Sequence, residues 1–134
     1  MADTVDQETR SRMMRSVRSR DTAPELVVRK FLRSAGVGYR LHIRSLPGTP
    51  DIVSSKHRSV IFVHGCFWHQ HSNCVKARLP STNCKFWEEK LRANVVRDAG
   101  NEAALRALGW TVFVLWECEI RSGAYISSLL PLFG

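Results

Sequence analysis

No apolar stretch in the 134 residues approaches the ~20 that a helix needs to cross a bilayer, which argues against a membrane protein. The leading residues, Met1-Ala2-Asp3-Thr4-Val5-Asp6, lack the basic-then-apolar order of a secretion signal, so a cytosolic location is expected. Internal repeats and low-complexity segments are also missing. Cysteine is sparse, and in a reducing compartment the four present are metal ligands or buried thiols rather than disulfides. Acid is scarce too: 12 Asp and Glu stand against 20 Lys and Arg, a net charge of +8. The excess is local. Residues 10–44 alone carry +8, with Asp21 and Glu25 their only acids, while residues 1–9 carry −3 and residues 45–134 carry +3. A concentrated basic segment favours a polyanion, because each Lys or Arg set against a phosphate releases counterions. Against these shortages stand a hydrophobic fraction of 44% and four Trp, enough for one globular domain with a real core.

Residues 1–20 form a polar basic arm, helical around Gln7–Val17, and residues 21–134 the folded domain. Thr22-Ala23-Pro24-Glu25 is a helix start, with Thr22 as cap, Pro24 in the first turn and Glu25 three residues after the cap. Leu26, Val27, Phe31 and Leu32 supply its apolar face, and Gly36 stops it. Tyr39–Ile43 alternates as a strand, Leu46–Pro50 is a turn, and Asp51–Val53 is a short strand. A hairpin turn at Lys56–Arg58 leads into Ser59–His64, apolar enough for a central strand. Phe86–Leu108 has helical spacing, with Trp87, Leu91, Val95, Ala99 and Leu105 inward. Trp110–Trp116 is another buried strand, and Ala124–Leu132 a last helix. Helix, three strands, helix, strand, helix predicts an α/β fold with a mixed central sheet flanked by helices.

The richest chemistry lies in His64-Gly65-Cys66-Phe67-Trp68-His69-Gln70-His71-Ser72-Asn73-Cys74, which core packing does not explain. Cys66, His71 and Cys74 are close enough for one loop to wrap a tetrahedral ion, with Cys118 after the last strand as a fourth ligand. Such a closed Cys3His zinc site would be structural. The spacing is not that of a common zinc finger, and Cys118 reads equally as a buried thiol. Asp51 opens a strand after a Gly/Pro turn, beside strand Ser59–His64, where metal-dependent nucleases place a Mg²⁺ carboxylate. An Asp after Pro is also an ordinary strand-start residue. Glu25 offers an outer carboxylate, and His64 and His69 offer proton transfer near neutral pH or plain hydrogen bonds to the loop. Phe67 and Trp68, on a loop held at the surface, suit insertion between bases, with Met14 on the arm as a second wedge.

Together these segments resemble a known family. Met14 to Glu25, Leu46-Pro47-Gly48-Thr49-Pro50-Asp51-Ile52-Val53, Val63-His64-Gly65-Cys66-Phe67-Trp68-His69, Phe86-Trp87 with Lys90 and Asn94, Arg97-Asp98, and Gly109-Trp110 with Trp116-Glu117-Cys118 look like the very-short-patch-repair (Vsr) DNA mismatch endonucleases. The resemblance runs in order along almost the whole chain, and Gly65-Cys66-Phe67-Trp68-His69 is its most specific part. It implies a restriction-endonuclease-like core and a nick 5′ to the thymine of a T·G mispair left by deamination of 5-methylcytosine. It implies Mg²⁺ held by Asp51 and the Val63 carbonyl, His69 as general base, and Glu25, His64 and Asp98 holding water or phosphate. It also implies structural Zn²⁺ on Cys66, His71, Cys74 and Cys118, and Phe67, Trp68 and Met14 as the wedge. The partners implied are mismatched double-stranded DNA and further repair proteins, with no membrane. The enzyme would be a monomer in the bacterial cytoplasm, at the nucleoid. The fold's usual Glu-x-Lys is replaced by Phe62-Val63-His64, a departure typical of the family. Two rivals remain: a nuclease of this fold acting on matched sites, and a non-catalytic zinc-stabilised DNA-binding module.

Overall fold

The computed structural model describes residues 22–71, 74, 79 and 82–133; the arm at 1–20, with Met14, lies outside the described residues. Helix α1 (Ala23–Ser34) begins as its sequence dictates. The Thr22 hydroxyl accepts the Glu25 N–H at 3.4 Å, and Pro24 occupies the first turn, where its missing N–H costs nothing. The face it buries differs from the apolar pattern. Glu25, Val28 and Leu32 point inward at helical spacing, while Leu26 and Val27 are 47% and 45% exposed.

Four strands follow in the spatial order β1 (Arg40–Leu41), β2 (Ile52–Ser54), β3 (Ser59–His64), β4 (Thr111–Trp116). The first three pair antiparallel; β4 joins β3 in parallel, from Ser59 opposite Thr111 to His64 opposite Trp116. A parallel neighbour requires a crossover, and the long helix α2 (Cys84–Ala107) provides it. The mixed sheet is as expected. The first strand is shorter than Tyr39–Ile43, because His42 takes a left-handed backbone (φ 50°) and ends the pleat.

Alternation along the strands divides the core in two. Ile52, Ile61 and Leu115 pack with Val28 and Leu32 of α1, and with residues of α3 (Glu117–Ser122) and α4 (Tyr125–Phe133). Val53, Val60 and Phe62 face the other way and meet Leu105 of α2. Helices therefore cover both faces. Periodicity does not predict α3, since six residues are too few to set a period; a Glu119 carboxylate caps it by accepting the Trp116 N–H at 3.2 Å. Helix α2 corrects another expectation. Val95 is 41% exposed and Ala99 is exposed, whereas Trp87, Leu91 and Leu105 are buried. Between Leu91 and Leu105 the inward positions at steps of three and four are Asn94, Asp98, Asn101 and Glu102, all less exposed than their outward neighbours. The middle of the inner face is polar because it lines a cleft. Among the described residues, no helix is long and apolar enough to cross a membrane.

Candidate functional site

The cleft has a volume of about 1070 Å³ and opens between the β1–β2 turn, the C-terminal end of β3 and the inner face of α2. Asp51 lies on one wall. The turn before it is tight: Gly48 (φ 77°) backs onto α2, where a Cβ would stand 3.0 Å from Asn101. One oxygen of the Asp51 carboxylate accepts the Val63 N–H of β3 at 2.7 Å. Continuing the register of β2 and β3 puts Val63 opposite Pro50, which has no N–H for the Val63 carbonyl. A carboxylate and a carbonyl without a ladder donor thus come together at the cleft, a fitting oxygen donor set for a hard divalent cation.

Glu25 and His42 complete this wall. Glu25 is 1% exposed although acidic; its Oε2 lies 3.2 Å from Arg29 and 3.1 Å from His42 Nε2. His42 Nδ1 lies 3.8 Å from Asp51, and Glu25, His42 and Asp51 each offer a ligand atom within 4.8 Å of the others. Burial lifts the Asp51 carboxyl from its ordinary 3.8 to about 6, and the nearby Glu25 charge adds to the lift; the Val63 N–H and His42 oppose it. Two crowded, dehydrated carboxyls gain most from a positive ion. His42 is the site residue that the sequence reasoning missed. Its signal was its register opposite Asp51, legible only once the strands are paired.

The other wall carries His64, His69 and Asp98. His64 ends β3 and is 5% exposed; His69 sits on the following turn with its ring stacked on His64, centroids 3.8 Å apart and planes 5° from parallel. Asp98 reaches from α2 to His69 Nδ1 at 2.5 Å. Burial pulls His64 down to about 4, helped by charge on His69 and opposed by Asp98, so His64 is a neutral imidazole at physiological pH. With Nδ1–H directed at Asp98, His69 presents Nε2 to accept a proton. Arg44 and Arg97 line the same cleft, suited to phosphate.

Behind the histidines, Cys66, His71, Cys74 and Cys118 bring their ligand atoms within 4.8 Å of one another. His71 Nδ1 lies 3.7 Å from Cys66 Sγ and 3.4 Å from Cys118 Sγ. Tetrahedral bonds of ~2.3 Å to sulfur and ~2.05 Å to nitrogen would set such atoms ~3.6 Å apart. The four residues therefore form a possible metal site, with His71 at tetrahedral spacing from Cys66 and Cys118. Cys66 is fully buried, and burial pushes its thiol up to about 11, a cost that a bound cation would remove. Cys84 stands apart, exposed at the start of α2. Trp116 lies between the two groups, stacked on His71 at 4.2 Å and edge-on to His64 at 5.1 Å.

Phe67 and Trp68 are less exposed than anticipated. Both are half-buried and pack edge-to-face, 5.6 and 6.1 Å from the buried ring of Trp87. Asn94 donates to the Trp68 carbonyl at 3.2 Å, which fastens the turn to α2. Consecutive aromatics share one side here because the chain turns repeatedly between Cys66 and Gln70 and Trp87 offers a flat floor.

Comparison with known proteins places the chain in a family. Residues 2–76 match the family model described as DNA mismatch endonuclease Vsr. The type II nicking enzyme V.XorIIP of Xanthomonas oryzae pv. oryzae is 49% identical over 120 residues, covering 90% of this chain and 88% of that protein. The DNA mismatch endonuclease Vsr of Escherichia coli K12 is 46% identical over 121 residues, 90% of this chain and 77% of that protein. The type II nicking enzyme V.NmeAIP of Neisseria meningitidis is 44% identical over 124 residues, 92% of this chain and 88% of its own length. With its family model matched over more than half its length and such relatives along nearly all of it, the chain belongs to the Vsr family of DNA mismatch endonucleases.

Proposed function

We propose that the protein nicks one strand of duplex DNA 5′ to the thymine of a T·G mispair, such as 5-methylcytosine deamination leaves, and so begins very-short-patch repair. The observation that carries the proposal is the cleft itself, where the Asp51 carboxylate cluster and the His64–His69–Asp98 array face a common space. The relatives' names, nicking enzyme and mismatch endonuclease, support cutting of one strand beside a mispair. The four-stranded sheet, with Asp51 leading one strand, suits a restriction-endonuclease-like core spanning 21–134. The basic arm at 1–20 would contact DNA and carry Met14 as a wedge opposite Phe67 and Trp68.

Asp51 and the Val63 carbonyl would hold Mg²⁺, which when bound neutralises phosphate charge and makes water a better nucleophile. The chain's own groups do the rest. His69 takes the proton of the attacking water at Nε2, and Asp98 fixes its tautomer and offsets the imidazolium charge that forms. The P–O3′ bond breaks, with the leaving oxygen taking a proton from solvent. His64, neutral and stacked on His69, holds the ring in plane and hydrogen-bonds water or phosphate. Glu25 orients solvent next to Asp51. Cys66, His71, Cys74 and Cys118 would hold Zn²⁺ with four protein ligands, so that the ion would serve structure rather than chemistry. A lone nick beside an asymmetric mispair requires only a monomer.

End-labelled duplexes carrying T·G or T·A at one position, incubated with Mg²⁺ in several sequence contexts, test the proposal. Cutting only beside T·G is expected. Equal cutting of both would instead assign a restriction-like enzyme, and binding without cutting a DNA-binding module. Asp98→Asn should slow nicking ~10- to 100-fold, as loss of a partner orienting a histidine does. DNA affinity should hold. A rate within twofold of the unmodified protein would remove Asp98 from the mechanism.

A further inference from the structure

We propose that Trp116 is a positioning residue for the nicking reaction: its indole is the backstop that holds His64, and through it His69, in place at the cleft. The inference rests on the roles given above to the two histidines and adds the residue that fixes them.

Register brings Trp116 to this point. Strand β4 runs parallel to β3 and ends with Trp116 opposite His64, so the two side chains leave the same face of the sheet side by side. The indole meets His64 edge-on, centroids 5.1 Å apart and planes at 74°, and lies flat on His71 at 4.2 Å and 10°. Edge-on and stacked contacts are the arrangements that ring quadrupoles favour. His64 in turn lies flat on His69, so His71, Trp116, His64 and His69 form one column of rings that ends at Asp98. The backbone beneath the indole is pinned as well, because the Trp116 N–H donates to the Glu119 carboxylate of α3.

His64 depends on such a support. Its Nδ1 is buried and has no hydrogen-bond partner among the described residues, whereas His69 is oriented by Asp98. The plane of the His64 ring is therefore set by its ring neighbours: His69 stacked on it, the Trp116 edge, and a tilted Phe62 ring at 5.7 Å. Behind the two histidines lies a second cavity of about 390 Å³, which Trp116 lines together with His71 and Asp98. Among the described residues, Trp116 borders this rear cavity and not the front cleft, so it does not face the substrate. It occupies the side toward which the imidazoles would tilt when a phosphate enters from the front. A leucine there would leave that side open and offer His71 no flat surface.

The test compares Trp116→Phe, which keeps a ring against His71, with Trp116→Leu, which does not, in the full chain with its zinc bound. Trp116→Met, also without a plane, replaces the leucine variant should that protein fail to fold. At saturating T·G duplex, below the melting temperature of every variant, Trp116→Leu should nick ~10- to 100-fold more slowly with KM changed by no more than about twofold. Trp116→Phe should stay within about threefold of the parent. Bound zinc should be unchanged in both. The far-downfield proton resonance of the His69 Nδ1–H to Asp98 hydrogen bond should be sharp in the parent and in Trp116→Phe, and broadened in Trp116→Leu. A leucine variant that nicks within about threefold of the parent, or keeps the resonance sharp, would make Trp116 ordinary packing and overturn the proposal. Loss of zinc from Trp116→Leu would overturn it too, by assigning the indole to the metal site. If the parent cuts no T·G duplex and the resonance still broadens only in Trp116→Leu, the proposed activity fails while the hold of Trp116 on His69 stands.

Discussion

Asp51→Asn should abolish nicking and at the same time make the protein more stable in the absence of added divalent cations. The loss of rate should be on the order of 10³-fold or more, because several kcal/mol of charge stabilisation at the phosphate depart with the cation. The gain in stability follows from burial. The folded protein holds the Asp51 carboxyl at about 6 against an ordinary 3.8, so between those values the folded state binds more protons than the unfolded one. Stability must then fall as pH rises through that window and stay low above it. The shift is worth at most ~3 kcal/mol at pH 7.5, and partial solvent contact reduces it to ~1–2.

Asparagine keeps an oxygen to accept the Val63 N–H, 2.7 Å away in the parent, and removes the dehydrated charge. The melting temperature at pH 7.5 should rise by ~3–8 °C, and the difference should vanish near pH 4. Millimolar divalent cation should stabilise the parent and leave the variant unmoved. Thermal melts at the two pH values, with and without cation, check every part. A variant less stable than the parent at pH 7.5 would mean that the charge costs the fold nothing. The site would then be an example of strength exchanged for function only in appearance.

This tension also explains what was legible in the sequence. Strand β3 was clear because Ser59–His64 is an almost unbroken apolar run inside the sheet; β4 was clear as a strand, but it lies at the sheet edge and buries only Leu115, not the whole run expected. The start of α1 was clear because Thr22, Pro24 and Glu25 specify a helix start locally. Misassigned faces lie where the interior is functional. Glu25 takes an inward position on α1, and Asn94, Asp98, Asn101 and Glu102 take the middle of the inward face of α2. Apolar periodicity cannot find an inner face built from site residues, so it picked Val95 and Ala99, which face solvent. His42 escaped for a related reason: alternation placed it within a strand, whereas the chain spends a left-handed residue there to aim it at Asp51. The Cys66, His71, Cys74 and Cys118 set was legible because cysteines clustered beyond the needs of packing suggest metal wherever disulfides are not expected.

Removing one of those four candidate ligands should have the second large effect, and the variant to make is Cys118→Ser. Cys118 lies on α3, whereas Cys66 and His71 lie on the loop after β3, so a shared ion would tie together two elements 47 residues apart in the chain. Free energies of ~10–16 kcal/mol accompany zinc binding in small finger peptides. This chain has an independent sheet core, so only the part that orders the loop should be lost: ~10 °C or more in melting temperature, without global unfolding at 25 °C. Bound zinc should fall from one per chain toward none. Nicking should fall as well, although no group near the phosphate is touched. Phe67, Trp68 and His69 all lie between Cys66 and His71, and Trp116 bridges the His71 ring to His64. With the loop untethered, Phe67, Trp68 and His69 would lose their fixed distance from Asp51. Cation affinity at Asp51 should persist, since its donors, the Asp51 carboxylate and the Val63 carbonyl, are fixed by the pairing of β2 with β3. Cys84→Ser, at an exposed position on α2, should change none of these quantities and serves as the control. Zinc content measured by atomic absorption decides the matter: a Cys118→Ser protein that keeps its zinc would take Cys118 out of the ligand set, and the coupling between the loop and α3 would need another cause.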